Sequence, residues 1–482
     1  MTKWVELAHD KKTYIYPTAI YWLGAQLVCR EIGAPGSIIA TWYKHHNFSY
    51  LVSEGNFIRA GQLILDRLEK DPAFLEKIIT TNEQMIPAML AAAEKLHGDL
   101  TQISGHELYQ RWQNWLHTFL ALMTYSAMGT VMEMEEPLLS NRLEQIIKDR
   151  LGENQQDLGK CFQILTTSTT RTVAGEEEQE LLRLRQRQLT TGLSPEEISV
   201  HQKRYSWIGF GYTGPGWNCQ DIEDRLSALP DTENGLKQFE EEKNKTLSQT
   251  LAEQTNWETR LGLTEKEKYL FQTLRTLGFW KFERKFQNQK AHELMEDFIR
   301  EIARRNNLSI LQAKMIGPNE MEDVLIHNRV NPDQLNERLN ESVVVFSGSK
   351  CEVWEGSRGK EILTEIHQSL AVNLDQTIIK GSTAYPGIAQ GTARQVNTVE
   401  DMQKLQPGDI LISTSTSPQI LPAMKKAAAI VTDSGGITCH AAIVAREIKI
   451  PTVIGTKIAT KIIKDGDQIR VDADQAIITI IK

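Results

Sequence analysis

Cysteine is scarce and scattered. The five in 482 residues are Cys29, Cys161, Cys219, Cys351 and Cys439, and no two form a C-x-x-C pair. Their spacing supports neither a disulfide framework nor a zinc site. No uninterrupted apolar run approaches the roughly 20 residues a membrane-spanning helix needs. The opening stretch, MTKWVELAHDKKTYIYP, has no apolar core of signal-peptide length. An excess of basic residues is also lacking. The net charge of −8 argues against a general nucleic-acid binder and against an anionic membrane surface. The run Arg183–Arg185–Arg187 adjoins acidic residues 176–180 and reads as a solvated helix face rather than an RNA patch. The expected location is a reducing cytoplasm. No G-x-x-x-x-G-K-[ST] loop occurs, and no eightfold strand–helix alternation of a TIM barrel is visible.

What is present is a soluble, globular composition, 40% hydrophobic and 24% charged, on a chain too long for one core, so two or three domains are expected. Up to about residue 340 the pattern is overwhelmingly helical. Leu108, Trp112, Trp115, Leu116, Phe119 and Met123 recur at spacings of three and four, which makes a buried helix stripe. Ser194-Pro195-Glu196-Glu197 and Thr264-Glu265-Lys266-Glu267 are helix starts of the capping-box kind. Gly209–Gly216, GFGYTGPG, punctuates the helices as a loop.

Near residue 342 the texture changes. SVVVFSGSKCEVWEG, residues 342–356, predicts a hairpin. A short helix, GKEILTEIHQ, follows, and residues 371–380 read as a linker. Beyond Gly381, PGIAQGTARQV, DILIST, AAIVTD, TVIGT, QIRVDAD and AIITII alternate with turns and short helices, one of them starting at Ser417-Pro418. This is a compact α/β domain of about 100 residues. The expected organisation is a helical region over 1–340, a hairpin, short helix and linker over 341–380, and an α/β domain over 381–482.

The stretch TDSGGITCHAAIVAREIKIPTVIGT, residues 432–456, is the most informative of the chain. A strand meets Gly435 and Gly436, His440 opens an amphipathic helix, and a second strand follows. An imidazole at a helix N-terminus sits where free N–H groups and the positive dipole end favour an anion. The glycines allow a tight turn and close approach to a bulky group. Such a site can hold a phosphoryl group on the imidazole, because an imidazole with a near-neutral pKa supplies a neutral nucleophile. Thr438 is a candidate phosphate contact or helix cap, and the two roles are compatible. Cys439 reads as a small packing residue rather than a nucleophile.

These residues resemble the phosphohistidine domain of phosphoenolpyruvate-utilising enzymes, a family that includes phosphoenolpyruvate synthase, pyruvate phosphate dikinase and rifampicin phosphotransferase. The resemblance rests on Gly435–Gly436, Thr438–Cys439–His440, Ala441–Ala442–Ile443, Ala445–Arg446–Glu447 and Ile450–Pro451. It extends to Pro386-Gly387-Ile388-Ala389 with Gly391, and to Gly408-Asp409-Ile410-Leu411 with Thr416-Ser417-Pro418. It covers roughly the last hundred residues. It implies a swivelling β/β/α domain after a large, mostly helical N-terminal region, with His440 as the phosphoryl carrier and Gly435, Gly436 and Thr438 around the phosphate. Arg446, nearly two turns along the helix, is expected at a domain surface or partner contact.

In the family, an ATP-grasp module charges the histidine, and no ATP-grasp pattern is recognisable in this sequence. The resemblance therefore implies no cofactor on this chain, with ATP and magnesium on a separate ATP-grasp partner, and an unidentified small-molecule acceptor in the helical region. The alternative is a non-catalytic phosphocarrier or interaction module whose phosphorylated His440 signals to a partner. Elsewhere, Arg275, Arg284 and Lys285 are candidate substrate contacts, since cationic side chains suit phosphate, and solvated helix surface is the competing reading. The loop with Tyr212 and Trp217 is either a cleft wall or a plain interhelical loop. No metal site is expected: His45–His46 lacks a third ligand, and Glu133, Glu135 and Glu136 read as a charged helix end.

Overall fold

The computed structural model describes residues 3–11, 14–36, 38–44, 47–152, 157–211, 214–348, 350–369, 376–398, 400–416, 420–435 and 439–481. Up to Ser369 the chain is a large helical assembly built against one sheet. Three strands come from the start of the chain, β1 (Trp4–Lys11), β2 (Ile38–Lys44) and β3 (Asn47–Ser53). Two come from the hairpin, β4 (Glu341–Ser347) and β5 (Lys350–Glu355). The order is β1-β3-β2-β4-β5, antiparallel throughout. The hairpin is therefore not a freestanding element between two domains. Thr41 of β2 pairs with Val344 of β4, so the boundary expected at residue 340 runs through the N-terminal sheet.

Strand alternation divides this sheet between two cores. Ile39, Phe48, Tyr50, Val52, Val344 and Phe346 face the main helical core. Their neighbours Ala40, Leu51 and Val343 face the opposite side, where Leu363 and Ile366 of the Gly356–Ser369 helix cover them. The predicted stripe of Leu108, Trp112, Trp115, Phe119 and Met123 is buried on the Gly105–Ser126 helix. Ser194 with Glu197, and Thr264 with Glu267, form the two expected capping boxes. The second of these starts the Glu265–Leu294 helix, called here the central helix.

Among the described residues the C-terminal domain holds eight strands: β6 (Ile378–Lys380), β7 (Ser382–Tyr385), β8 (Ile388–Gln395), β9 (Ile410–Ser413), β10 (Ala429–Thr432), β11 (Thr452–Ile454), β12 (Gln468–Asp472) and β13 (Ile477–Ile481). Their order is β6-β13-β12-β8-β9-β10-β11-β7. The centre, β8 to β11, is parallel, and antiparallel strands flank it on both sides. Ile410, Ile412, Ala429 and Val431 pack on one face, and Leu411 and Ile430 on the other. Of the expected linker 371–380, residues 378–380 are β6, and 371–375 lie outside the described residues. The helix read from Ser417-Pro418 is described from Leu421 to Met424, with Ser417 and Pro418 outside the described residues.

Candidate functional site

Strand β10 ends at Thr432, and Cys439 begins the His440–Ile448 helix, called here the histidine helix. Asp433 pins the strand end. Its carboxylate accepts hydrogen bonds from Thr456 Oγ1 at 2.8 Å, from the Thr460 amide at 3.3 Å and from the Thr460 hydroxyl. Burial raises its pKa above the usual range. Cys439 caps the helix, its Sγ accepting from the Ala442 amide at 3.4 Å, so the packing role read from sequence extends to capping. The helix stops at Lys449, left-handed at φ 58°, and Pro451 lies just before β11. This strand–turn–helix–strand order puts the N-terminus of the histidine helix at the carboxyl edge of a parallel sheet, where α/β folds place their ligands.

That edge faces the helical region across a cleft of about 560 Å³. Gly435, Cys439 and Lys457 line it from the C-terminal domain. Tyr21, Glu133 and Lys281 line it from the helical region. Gly435 is exposed and has φ 121°, a conformation that favours glycine. His440 is the first residue of the helix at this edge. Gly436 and Thr438 lie outside the described residues.

A second cavity, of about 390 Å³, adjoins the first, and Glu133 and Lys281 line both. Leu274, Leu277, Phe279 and Phe282 of the central helix and Arg446 of the histidine helix form part of its wall. Arg446 therefore stands at the domain interface, as read from sequence. Its Nε donates to the Ala384 carbonyl at 3.0 Å, and burial lowers its pKa to about 10.

The structure separates the three cationic candidates of the central helix. Arg275 lines the second cavity, with Nη1 donating to the Leu165 carbonyl at 2.9 Å and Nη2 lying 3.8 Å from Glu258. Arg284 is buried behind the cleft wall. Its Nη1 donates to the Ser126 carbonyl at 2.9 Å and its Nη2 to the Tyr21 hydroxyl at 3.1 Å. It holds Tyr21 in place rather than facing the cleft. Lys285 is exposed and lines neither cavity.

The cation of the central helix that does line the cleft is Lys281, which sequence reasoning passed over. It is wetted by the cleft, yet the protein around it, with Arg284 nearby, holds its ammonium below the usual lysine range. Among the described residues it has no hydrogen-bond or ion-pair partner. It sits four positions before Lys285, and nothing in the local pattern distinguishes the two until the opposing domain is in place.

Two of the acidic trio, Glu133 and Glu135, are explained by helix ends. Glu133 accepts from the Leu139 and Ser140 amides at 2.9 and 3.2 Å and so caps the Leu138–Leu151 helix. Glu135 accepts from the Gly55, Phe57 and Ile58 amides at the start of the Asn56–Lys70 helix. Burial raises Glu133 to about 7. No group of three metal-ligating side chains occurs among the described residues, and His45–His46 lies outside them. The 209–216 loop lines neither cavity among its described residues, Tyr212 falling outside them. Trp217 lies under the Arg225 guanidinium, 4.0 Å from the ring centroid. No helix among the described residues is long and apolar enough to cross a membrane.

Residues 405–476 match the family described as PEP-utilising enzyme, mobile domain. A probable phosphoenolpyruvate synthase of Archaeoglobus fulgidus is 52% identical over 101 residues, 21% of this chain and 13% of that protein. The phosphoenolpyruvate synthase of Aeropyrum pernix is 39% identical over 139 residues, 29% of this chain and 17% of that protein. The match thus spans a small part of either relative's length. Among solved structures, the holo form of Thermococcus kodakaraensis aconitase X aligns over 22% of this chain and 100% of that chain, at 20% identity and a TM-score of 0.18. That likeness carries no argument.

Proposed function

Because residues 405–476 form a PEP-utilising enzyme mobile domain, we propose that the chain is a phosphotransferase component whose His440 carries the phosphoryl group. In the first half-reaction an imidazole nitrogen attacks the phosphorus of an ATP-derived donor, so that a P–N bond forms as the bond between phosphorus and the rest of the donor breaks, and the dephosphorylated donor leaves with that electron pair. In the second, a nucleophilic atom of a small-molecule acceptor held by the helical region forms a bond to phosphorus as the P–N bond breaks, and the imidazole is restored. The donor is made on a separate ATP-grasp chain, which also holds the ATP and magnesium, since the nucleotide step needs the metal to neutralise phosphate charge. The observation that carries the reading is the Thr438–Cys439–His440 string within the matched residues, with Cys439 capping a helix and His440 opening it. The cleft in front of that helix, with the ammonium of Lys281 on its far wall, supports it.

One histidine serves two sites only if it travels, because each transfer needs the reacting atoms within about 3–3.5 Å. The C-terminal domain is therefore proposed to leave the docked position for charging and to return for discharge.

The test is incubation with γ-labelled ATP and a candidate ATP-grasp partner, followed by mass spectrometry of the peptide containing His440. Phosphoramidate, which transfers its phosphoryl group to imidazole with loss of ammonia, provides a partner-independent charging assay. An acid-labile, base-stable label on His440, absent from His440→Ala, is expected. An alanine variant that labels as fully as the wild type refutes the proposal.

A further inference from the structure

The second cavity has a chemistry of its own. Its volume of about 390 Å³ lies in the range of small-molecule sites. Leu274 and Leu277 form a buried apolar floor, while Phe279 is half-buried and Phe282 is 43% exposed. Both rings therefore leave apolar surface open to solvent on the wall of the cavity. The charge is one-sided. Arg275 is partly offset by Glu258, and the carboxylate of Glu133 is taken up by helix capping. Lys281 has no hydrogen-bond or ion-pair partner among the described residues. Arg446 donates to a neutral carbonyl and meets no carboxylate among them. Two cations with no ion pair among the described residues, one from each domain, thus line an apolar chamber that opens beside the edge where His440 begins its helix. The carboxyl of Glu133 attracts Lys281 but is engaged in helix capping, so a bound anion completes the charge balance.

We propose that this chamber binds a small amphipathic molecule, with an apolar, ring-containing body against Leu274, Leu277, Phe279 and Phe282, and one anionic group between Lys281 and Arg446. That this molecule is the phosphoryl acceptor rests on the function proposed above. That the chamber binds a molecule of this class does not.

The probe is 1-anilinonaphthalene-8-sulfonate, an aromatic anion of suitable size, with neutral N-phenyl-1-naphthylamine as its uncharged counterpart. Fluorescence titration of the full chain is expected to give one site for the sulfonate. Phe282→Asp should weaken it about tenfold or more, by loss of apolar contact and by charge repulsion. Phe282 is exposed enough for the variant to fold, and circular dichroism checks this. Lys281→Met should weaken the sulfonate about tenfold, the size of a lost charged hydrogen bond, and leave the naphthylamine within about twofold. Sulfonate binding that is absent, or unchanged in Phe282→Asp, overturns the site. A neutral probe that binds as tightly as the sulfonate, with neither affected by Lys281→Met, overturns the anionic part. If His440 fails to label while the chamber binds as expected, the phosphotransfer reading falls and the site stands. If His440 labels and the chamber binds nothing, the reverse holds.

Discussion

Lys461 of the C-terminal domain places its Nζ 3.3 Å from Oε2 of Glu6 on β1, so an ion pair closes one side of the cleft. The two side chains are 31% and 24% exposed. A pair that is partly solvated contributes at most about 1 kcal/mol. It holds a docked position without fixing it, as the travelling-domain proposal requires.

Charge reversal at this pair should therefore open the molecule. Glu6→Lys is expected to shift the docked population by a factor of about five or less, read as a larger radius of gyration in small-angle scattering. The swap Glu6→Lys with Lys461→Glu should restore the wild-type value. A carbodiimide is expected to join the two side chains as an amide in the wild type and not in Glu6→Gln. The joined species should retain discharge to the acceptor and lose charging by the partner. Normal rates for both steps in the joined species would remove the travelling-domain model.

The N-terminal sheet has its own anchor in Arg338, which is 2% exposed. Its Nη1 and Nη2 meet Glu320 at 2.6 and 2.7 Å, and its Nε meets Glu355 of β5 at 2.9 Å. Removing one partner of a buried pair leaves the other uncompensated. Arg338→Met should cost about 3 kcal/mol, the low end for a buried pair because Glu320 is partly solvated. Arg338→Lys should recover little, since an ammonium lacks the two-pronged geometry. The urea midpoint measures both, and a Met variant as stable as the wild type would show that the network is inert.

His292 predicts an acid-side loss of stability. It is 7% exposed, near the rings of Trp115 and Phe119, and burial with Lys314 nearby lowers its pKa from 6.5 to about 4. The folded state therefore keeps it neutral where the unfolded chain takes up a proton. Its contribution is complete above 6.5 and disappears as pH falls from 6.5 towards 4, by up to about 3 kcal/mol. Glu133, raised from 4.5 to about 7, works in the opposite sense. Its contribution is complete below 4.5 and is lost as pH rises towards 7. The comparison is therefore His292→Leu against the wild type. The difference in stability between the two should change by that amount from pH 7 to pH 4, and a difference independent of pH contradicts the assignment.

How far the sequence reaches differs between the two parts. In the C-terminal domain each of β8 to β13 is a short β-rich run bounded by turns, and all six were readable. β6 and β7 were not, because three or four residues at domain entry carry no period. In the N-terminal part the helical stripe of Trp112 and Phe119 declared itself, but β1 to β3 did not. The sheet they form is joined to Val343 and Val344 of β4 through β2 alone, a pairing that spans some three hundred residues of chain. The Ile15–Glu31 helix between β1 and β2 is buried on nearly every side, which erases the amphipathic contrast that would have marked the boundary. The candidate site was legible where chemistry is written in a contiguous string, at Gly435 to His440. It was not legible at Lys281, because which lysine of the central helix meets the opposing domain depends on tertiary packing alone.

The conformation of Gly435 yields the sharpest test of that string. At φ 121°, a side chain is strained by about 1–3 kcal/mol. A Cβ built there would also lie 2.7 Å from Sγ of Cys439, the residue that caps the histidine helix. Gly435→Ala must then move either the turn or the cap, and both sit beside His440. The expected result is a folded protein, since Gly435 is exposed and outside the sheet, with a modest loss in thermal stability. Charging of His440 by phosphoramidate should fall by about tenfold or more, the scale of misplacing a reacting group. Gly408→Ala serves as the control, because it also has positive φ, at 95°, and its Cβ would meet nothing within 4 Å. It should cost similar stability and leave labelling intact. Equal labelling of both variants would mean that Gly435 only turns the chain and does not shape the phosphoryl site.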